Sequence, residues 1–101
     1  MNQMSLSRVV VSREGERLVT FEQAARLTQT SITILERFAA LGLIEPVESM
    51  LRLQDLTRVV QIIRLRRDLG LNLVGAAMVL DMATEIAQLR SQLQALRRQG
   101  F

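Results

Sequence analysis

The sequence predicts a mainly α-helical protein with a helix-turn-helix, a small N-terminal β-hairpin and a long C-terminal coiled-coil helix. Three observations predict this. A chain of 101 residues has the length of one domain. Apolar residues recur at helical spacing in four stretches, and the last stretch keeps an unbroken heptad pattern. We therefore expect a single structural domain made of a body, residues 1–72, and a C-terminal helix, residues 73–101.

The composition excludes several classes of function. The chain has no His, Cys, Trp or Tyr, so it contains no Cys/His zinc site, no Cys nucleophile, no Ser–His pair and no disulfide. Its carboxylates are scattered and its glycines form no phosphate loop, so we expect neither catalysis nor a cofactor. The longest uncharged apolar stretch, residues 71–80, is too short to cross a bilayer. With no secretory signal pattern, a cytoplasmic protein is expected.

The charge is unevenly distributed along the chain. All thirteen basic residues are arginines, and the net charge of +3 is mild for a protein that binds nucleic acid. Residues 1–19 carry +1, residues 20–50 carry −2 and residues 51–101 carry +4. The middle segment therefore repels phosphate on average.

The beginning of the chain predicts a β-hairpin. Residues 8–12 are rich in β-branched side chains and indicate a strand, Glu14-Gly15 is a turn pair, and residues 16–19 pair back. An isolated hairpin is marginally stable, so it must pack on the helical part of the chain.

Residues 20–44 predict a helix, a turn at 28–31 and a second helix. Thr20 and Gln23 have the spacing of a capping box, Ser31 or Thr33 caps the second helix, and Gly42 ends it. The expected buried positions are Phe21, Ala24, Ala25 and Leu27 in the first helix and Ile34, Leu35, Phe38, Ala39 and Leu41 in the second.

A third helix is expected from Asp55 to about Leu69, after a short link in which residues 51–53 form a brief strand. Its apolar residues cover more than one face, which indicates a central helix. Gly70 ends it and Asn72 caps the last helix. Its arginines, among them a local Arg64–Asp68 pair, are expected on a solvated face; they are Arg58, Arg64, Arg66 and Arg67.

The last helix carries a heptad seam with alternating spacings of three and four residues. A seam this regular favours self-association, in parallel or antiparallel orientation, over packing on the chain's own core. The predicted dimerisation residues are Val79, Met82, Ile86, Leu89, Leu93 and Leu96.

The order of these elements resembles the MerR-like winged helix-turn-helix architecture. More closely, the run RLRRDLGLNL at 64–73 followed by VGAAMVLD at 74–81 is similar to the CbpM chaperone-modulator family, and the resemblance covers roughly residues 16–98. It implies a small, cytoplasmic, dimeric protein. It also implies binding to the J-domain of a DnaJ-like co-chaperone of the CbpA type, whose activity the protein restrains.

The sequence departs from the pattern of MerR-type DNA-binding regulators. Such regulators carry an Arg-Tyr-Tyr-like run in the second helix, where this chain has Glu36-Arg37-Phe38. Their wing has a Gly-x-Arg-x-Tyr-like pattern, whereas residues 47–54 contain neither Gly nor Tyr. Each phosphate contact needs a cation or another hydrogen-bond donor, so we expect the second helix and the wing to bind DNA poorly.

Two hypotheses remain. In the first, the protein is a chaperone modulator that binds a J-domain, with acidic residues steering the encounter and apolar residues such as Leu43 contributing contact. The predicted J-domain-binding residues are Glu36, Glu45, Glu48, Met50 and Asp55. In the alternative, it is a small MerR-family transcriptional regulator. Its DNA contacts are then Arg13, Arg17, Arg37 and Arg52.

Overall fold

A computed structural model of the protein describes residues 10–11 and 15–100. It confirms the predicted fold class, with four helices around one core and a small antiparallel sheet at the N-terminal side. The elements are β1 (Val10–Val11), β2 (Arg17–Val19), α1 (Phe21–Thr28), α2 (Ile32–Ala40), β3 (Leu51–Arg52), α3 (Asp55–Leu69) and α4 (Leu73–Arg98).

The described sheet has the strand order β1-β2-β3. The predicted hairpin is present as β1 and β2, with Val10 opposite Leu18. The rest of the predicted first strand and Glu14 lie outside the described residues. β3 pairs with the other edge of β2, which the sequence did not assign, and this places Leu51 opposite Val19. Because Leu18, Val19 and Leu51 are buried, the sheet closes one side of the core.

The capping residues set the boundaries of the helix-turn-helix. Thr20 Oγ1 accepts from the Gln23 amide at 3.0 Å and Gln23 Oε1 accepts from the Thr20 amide at 2.9 Å, so the predicted capping box is confirmed. Ser31, and not Thr33, caps α2, since its hydroxyl accepts from the Ile34 amide at 3.1 Å. Gly42 follows α2 with φ of 76°, as predicted for a helix stop.

Three expectations for this segment were wrong. Thr28 belongs to α1 and not to the turn. It is buried, and its hydroxyl is satisfied by donating to the Ala24 carbonyl at 2.7 Å. Leu27 and Leu41, expected in the core, are 46% and 42% exposed. In α1 the buried residues are Ala24, Ala25 and Thr28, and Leu27 lies beside this stripe; Leu41 follows the last residue of α2 as its C-cap.

The central helix is α3, as predicted. It packs against α1, α4 and β3, and buries Leu56, Val59 and Ile62 against Leu35 and Phe38 of α2 within the same core. These side chains, together with Ala76 and Ala77 of α4, form most of the interior. Removal of such apolar area from water is the main term that stabilises a domain of this size.

The connection from α3 to α4 fixes the direction of the long helix. Gly70 adopts the left-handed conformation with φ of 69°, and Asn72 Oδ1 accepts from the Gly75 amide at 2.7 Å. Both predicted boundary signals are confirmed. No single described helix is long and apolar enough to cross a membrane; α3 and α4 pass that test only as a pair, which is bent by 109°.

Candidate partner-binding surface

The wing is a two-residue hairpin turn between α2 and β3. The Val47 amide donates to the Met50 carbonyl at 2.7 Å, and the Met50 amide donates back at 2.9 Å. Both residues between them have positive φ, 53° for Glu48 and 65° for Ser49, as a primed turn requires. Glycine or asparagine adopts these angles more easily, so the turn holds some backbone strain and presents Glu48 at its tip.

Arg52 connects the sheet, the wing and α3. Its Nε donates to the Glu16 carboxylate at 2.6 Å, and its Nη1 donates to the Glu45 carbonyl at 2.8 Å and lies 3.7 Å from Asp55 Oδ2. The hydrogen bond to Glu16 raises the pKa of Arg52. Arg52, which the sequence predicts as a DNA contact in the alternative reading, is a half-buried guanidinium held by three groups of its own chain.

Arg58 makes a second internal connection. Its Nε donates to the Leu43 carbonyl at 3.1 Å, and its Nη1 donates to the Asp81 carboxylate at 2.7 Å. The hydrogen bond from Arg58 lowers the pKa of Asp81. The sequence predicted that Arg58 lies on a solvated face. This prediction was wrong, because Arg58 is half-buried and bonded to two groups of its own chain. It ties the end of the helix-turn-helix to α4 and so contributes to the direction in which α4 leaves the body.

The predicted J-domain-binding residues divide into two groups. Glu36, Glu45 and Glu48 are exposed, and none forms an ion pair with another described residue. Asp55 and Met50 are less accessible to a partner than these three glutamates. Asp55 is half-buried and its Oδ2 lies 3.7 Å from Arg52 Nη1, and Met50 is half-buried in the wing. Among the predicted residues, the acids without an ion pair to a described residue therefore lie on α2 and in the segment from Glu45 to Glu48, and not on α3.

The residues predicted for the DNA alternative are also divided. Arg17 on β2 and Arg37 on α2 are exposed, Arg52 is held internally and Arg13 lies outside the described residues. The predicted pair of Arg64 with Asp68 does not form among the described residues; Asp68 lies 3.5 Å from Arg67 instead.

The outward face of α2 is electrically neutral. At 100° per residue, Ile32, Thr33, Glu36, Arg37 and Ala40 share one side of this helix, and all five are exposed. Their formal charges cancel. In a helix-turn-helix this side would enter the major groove, where a positive surface is needed to offset phosphate repulsion.

Exposed apolar side chains around the helix-turn-helix were missed by the sequence reasoning. Leu27, Ile32 and Leu41 are all at least one-third exposed. Leu27 also borders a shallow groove of about 590 Å³ between α1 and α3, together with Leu53 and Val60. All three lie at or next to a helix end: Ile32 is the first residue of α2, Leu41 follows its last residue, and Leu27 precedes the last residue of α1.

The seam of α4 extends away from the body. Val79 is half-buried, and the other five predicted dimerisation residues are 48–56% exposed. The alternative that this seam packs on the chain's own core is therefore wrong beyond residue 80, because all residues from 81 to 100 are exposed. The described residues hold no group of three or more His, Cys, Asp or Glu placed to bind a metal ion.

Fold and surface together define the class: a helix-turn-helix domain with a short wing and a projecting apolar helix. A family model described as MerR HTH family regulatory protein matches residues 17–98, and the chain belongs to this family. The MerR-like scaffold expected from the sequence is thereby confirmed. No solved structure matches the chain.

Proposed function

We propose that the protein is a cytoplasmic chaperone modulator, which binds the J-domain of a DnaJ-like co-chaperone and thereby inhibits it. The observation that carries this proposal is the character of the helix-turn-helix surface. Over the helix-turn-helix and the wing together, residues 20–50, four carboxylates and two arginines are exposed, the exposed side chains include large apolar groups, and Arg52 is occupied internally. Such a surface favours a protein partner with a basic face over a polyanion.

The exposed glutamates orient the approaching J-domain more than they add to its binding affinity. Glu36 on α2 and Glu48 at the wing tip are exposed and are not neutralised by a described basic neighbour. Charges of this kind raise the association rate with an oppositely charged partner and lose that effect as salt increases. The resemblance to CbpM proteins supplies the partner, because J-domains of this type carry a basic helix.

Apolar groups close to these acids supply the burial that a stable complex needs. Ile32 and Leu41 lie at the two ends of α2, and both are more exposed than Met50 and Leu43, the apolar contacts expected from the sequence. Burial of large apolar side chains at the centre of a contact contributes most of its binding energy. We therefore place α2 at the centre of the J-domain contact and the wing at its rim.

The proposal includes a homodimer formed through the seam of α4. Residues 82–96 span about 21 Å of helix at 1.5 Å per residue. Five exposed apolar side chains lie along this length: Met82, Ile86, Leu89, Leu93 and Leu96. An apolar stripe of this length is rarely left in contact with water. Pairing with the same helix of a second copy would cover it and would leave both helix-turn-helix surfaces free.

The alternative function is that of a MerR-family DNA-binding regulator. Exposed Arg17 and Arg37 favour it, as does the regulatory description of the family. It requires duplex affinity that falls steeply with salt and depends on sequence. The neutral outward face of α2 makes it the weaker of the two proposals.

The deciding experiment is a calorimetric titration of the full chain with isolated J-domains from its own organism. The proposal expects saturable binding of one J-domain per chain, with micromolar or tighter affinity. The double variant Glu36→Arg/Glu48→Arg should bind at least tenfold more weakly, because two attractive contacts become repulsive.

The matched control is Asp68→Arg/Glu85→Arg, which changes the net charge equally at exposed positions on α3 and α4. Equal weakening in both double variants would show that only net charge matters and would contradict the assigned surface. If none of the organism's J-domains binds the wild-type chain, the modulator proposal is wrong and the DNA regulator becomes the better proposal.

A further inference from the structure

A small cleft beside the helix-turn-helix carries two arginines that the proposed function does not use. Its volume is about 230 Å³, and Ile34 and Arg37 of α2, Arg66 of α3, and Asn72 and Leu73 at the start of α4 line it. Three separate helices therefore contribute to one concave site. Because Leu73 is buried, the site has an apolar floor and a polar rim.

The rim contains hydrogen-bond donors and no carboxylate. Arg37 and Arg66 form no ion pair with another described residue, and none of the described residues lining the cleft is acidic. The Asn72 side-chain oxygen already accepts from the Gly75 amide at 2.7 Å, which leaves its NH₂ group as a donor. Two guanidinium groups at one cleft repel each other, and a bound anion would remove that repulsion.

We propose that this cleft binds an aspartate or glutamate side chain of a protein partner. The planar donor fork of arginine matches the two oxygens of a carboxylate, and two forks from different helices fix its position. The apolar floor formed by Ile34 and Leu73 accommodates the methylene group that precedes the carboxylate. The cleft volume suits one side chain and not an extended ligand.

The surroundings favour a single carboxylate over the phosphates of a nucleic acid. A duplex carries one charge per about 1.7 Å of its axis, so a bound duplex would also bring phosphates towards Glu36, Glu45 and Glu48. Those acids are exposed on the same segment, whose net charge is −2 over residues 20–50. A carboxylate on a protein surface can enter the cleft without that repulsion.

The inference goes beyond the proposed function because it holds for any acidic protein partner, and its test requires no J-domain. The probe is the sodium salt of N-acetyl-aspartate N-methylamide, titrated into the full chain at constant ionic strength. The arginine Nε–Hε signals are followed by NMR. We expect saturable shifts at Arg37 and Arg66 with half-saturation on the order of 1–10 mM, which charge-assisted hydrogen bonds can give a small ligand.

The variants Arg37→Gln and Arg66→Gln should each weaken this binding at least tenfold. Arg97→Gln, an exposed arginine in the last turn of α4, is the matched control and should leave it unchanged. Both test side chains are exposed, so folding should survive either change. The neutral asparagine analogue of the probe should produce no saturable shift.

Two results would overturn the inference. One is a linear shift shared by all exposed arginines, including Arg26 and Arg90, which would indicate unspecific ion screening. The other is inorganic phosphate binding more than tenfold tighter than the aspartate probe, together with protection of the same signals by a DNA duplex. The cleft would then be a phosphate site for nucleic acid.

Discussion

The proximal part of α4, residues 73–80, and its distal part, residues 81–98, both carry apolar side chains at helical spacing but have opposite surroundings. In residues 73–80, Leu73, Ala76 and Ala77 are buried in the core, whereas residues 81–98 contain no buried side chain. The same helical periodicity therefore leads to burial in one half and exposure in the other. The difference shows that an apolar stripe predicts only that a helix needs a partner surface. Whether its own chain supplies that surface depends on the length of the neighbouring helices.

The largest expected effect distinguishes the buried core from the exposed apolar positions of the body. Phe38 is fully buried, so Phe38→Ala should lower the free energy of unfolding by about 3–5 kcal/mol through lost burial and an unfilled cavity. Urea denaturation followed by circular dichroism measures it. Leu27→Ala, at an exposed position in the same body, should cost less than about 1 kcal/mol. Similar losses in both variants would contradict the described core.

The second prediction concerns only the distal part of α4. Ile86→Asp/Leu89→Asp places two charges in the proposed dimer seam and should weaken self-association at least a hundredfold. Sedimentation equilibrium measures the association constant. Gln88→Asp, between them but outside the heptad seam, is the control and should leave the dimer intact. A dimer that survives the double change would place the interface elsewhere.

The third prediction tests whether the internal contacts of Arg52 stabilise the body. Arg52→Gln removes the contacts that the guanidinium makes with the half-buried carboxylates of Glu16 and Asp55. Its thermal midpoint should fall further than that of Arg97→Gln, whose side chain is exposed. Thermal unfolding measured at a series of protein concentrations separates this loss from any change in self-association. Equal midpoints would show that the Arg52 contacts are energetically neutral.

The fourth prediction concerns the strained wing. Ser49→Gly should raise the free energy of unfolding by about 0.5–1 kcal/mol, because glycine adopts positive φ without steric cost. Gly42→Ala, at φ of 76°, should change it in the opposite direction by about 1 kcal/mol. Chemical denaturation measures both. A Ser49→Gly variant that is less stable than wild type would contradict the described turn.

The smallest expected effect depends on pH and concerns Asp81, the first residue of the distal part of α4. Arg58 lowers the pKa of Asp81 below its ordinary value, so this carboxylate stabilises the folded state above pH 3.8. The stabilisation should disappear as pH falls through the still lower folded-state pKa. Since Asp81 is 62% exposed, solvent screening limits the contribution to less than about 1 kcal/mol.

The measurement for this prediction is the difference in unfolding free energy between wild type and Asp81→Asn as a function of pH. That difference should be constant near neutral pH and should approach zero in acid. A difference that stays constant down to pH 2 would show that the effect of the substitution is unrelated to the charge.

The helix boundaries were predictable because their signals are local. Thr20 with Gln23, Gly42 and Asn72 act on backbone groups within four residues, so spacing alone identifies them, whereas the choice between Ser31 and Thr33 needed the structure. The exposed acids of the candidate site were also predictable, since an acid in a polar stretch is solvated by default. The roles of Arg52 and Arg58 were not predictable in this way.

The residues alone predict the number of helices, the caps of α1 and α4, the glycines that end α2 and α3, and the heptad seam. All of these depend on residue type and short-range spacing. The tertiary structure decided that Arg52 meets Glu16 across 36 positions, that Arg58 meets Asp81 across 23, and that Arg37 and Arg66 line one cleft. It also decided that Leu27 and Leu41 are exposed. The physical reason is that charge pairing and burial depend on distances in space, and the packing of separate helices sets those distances.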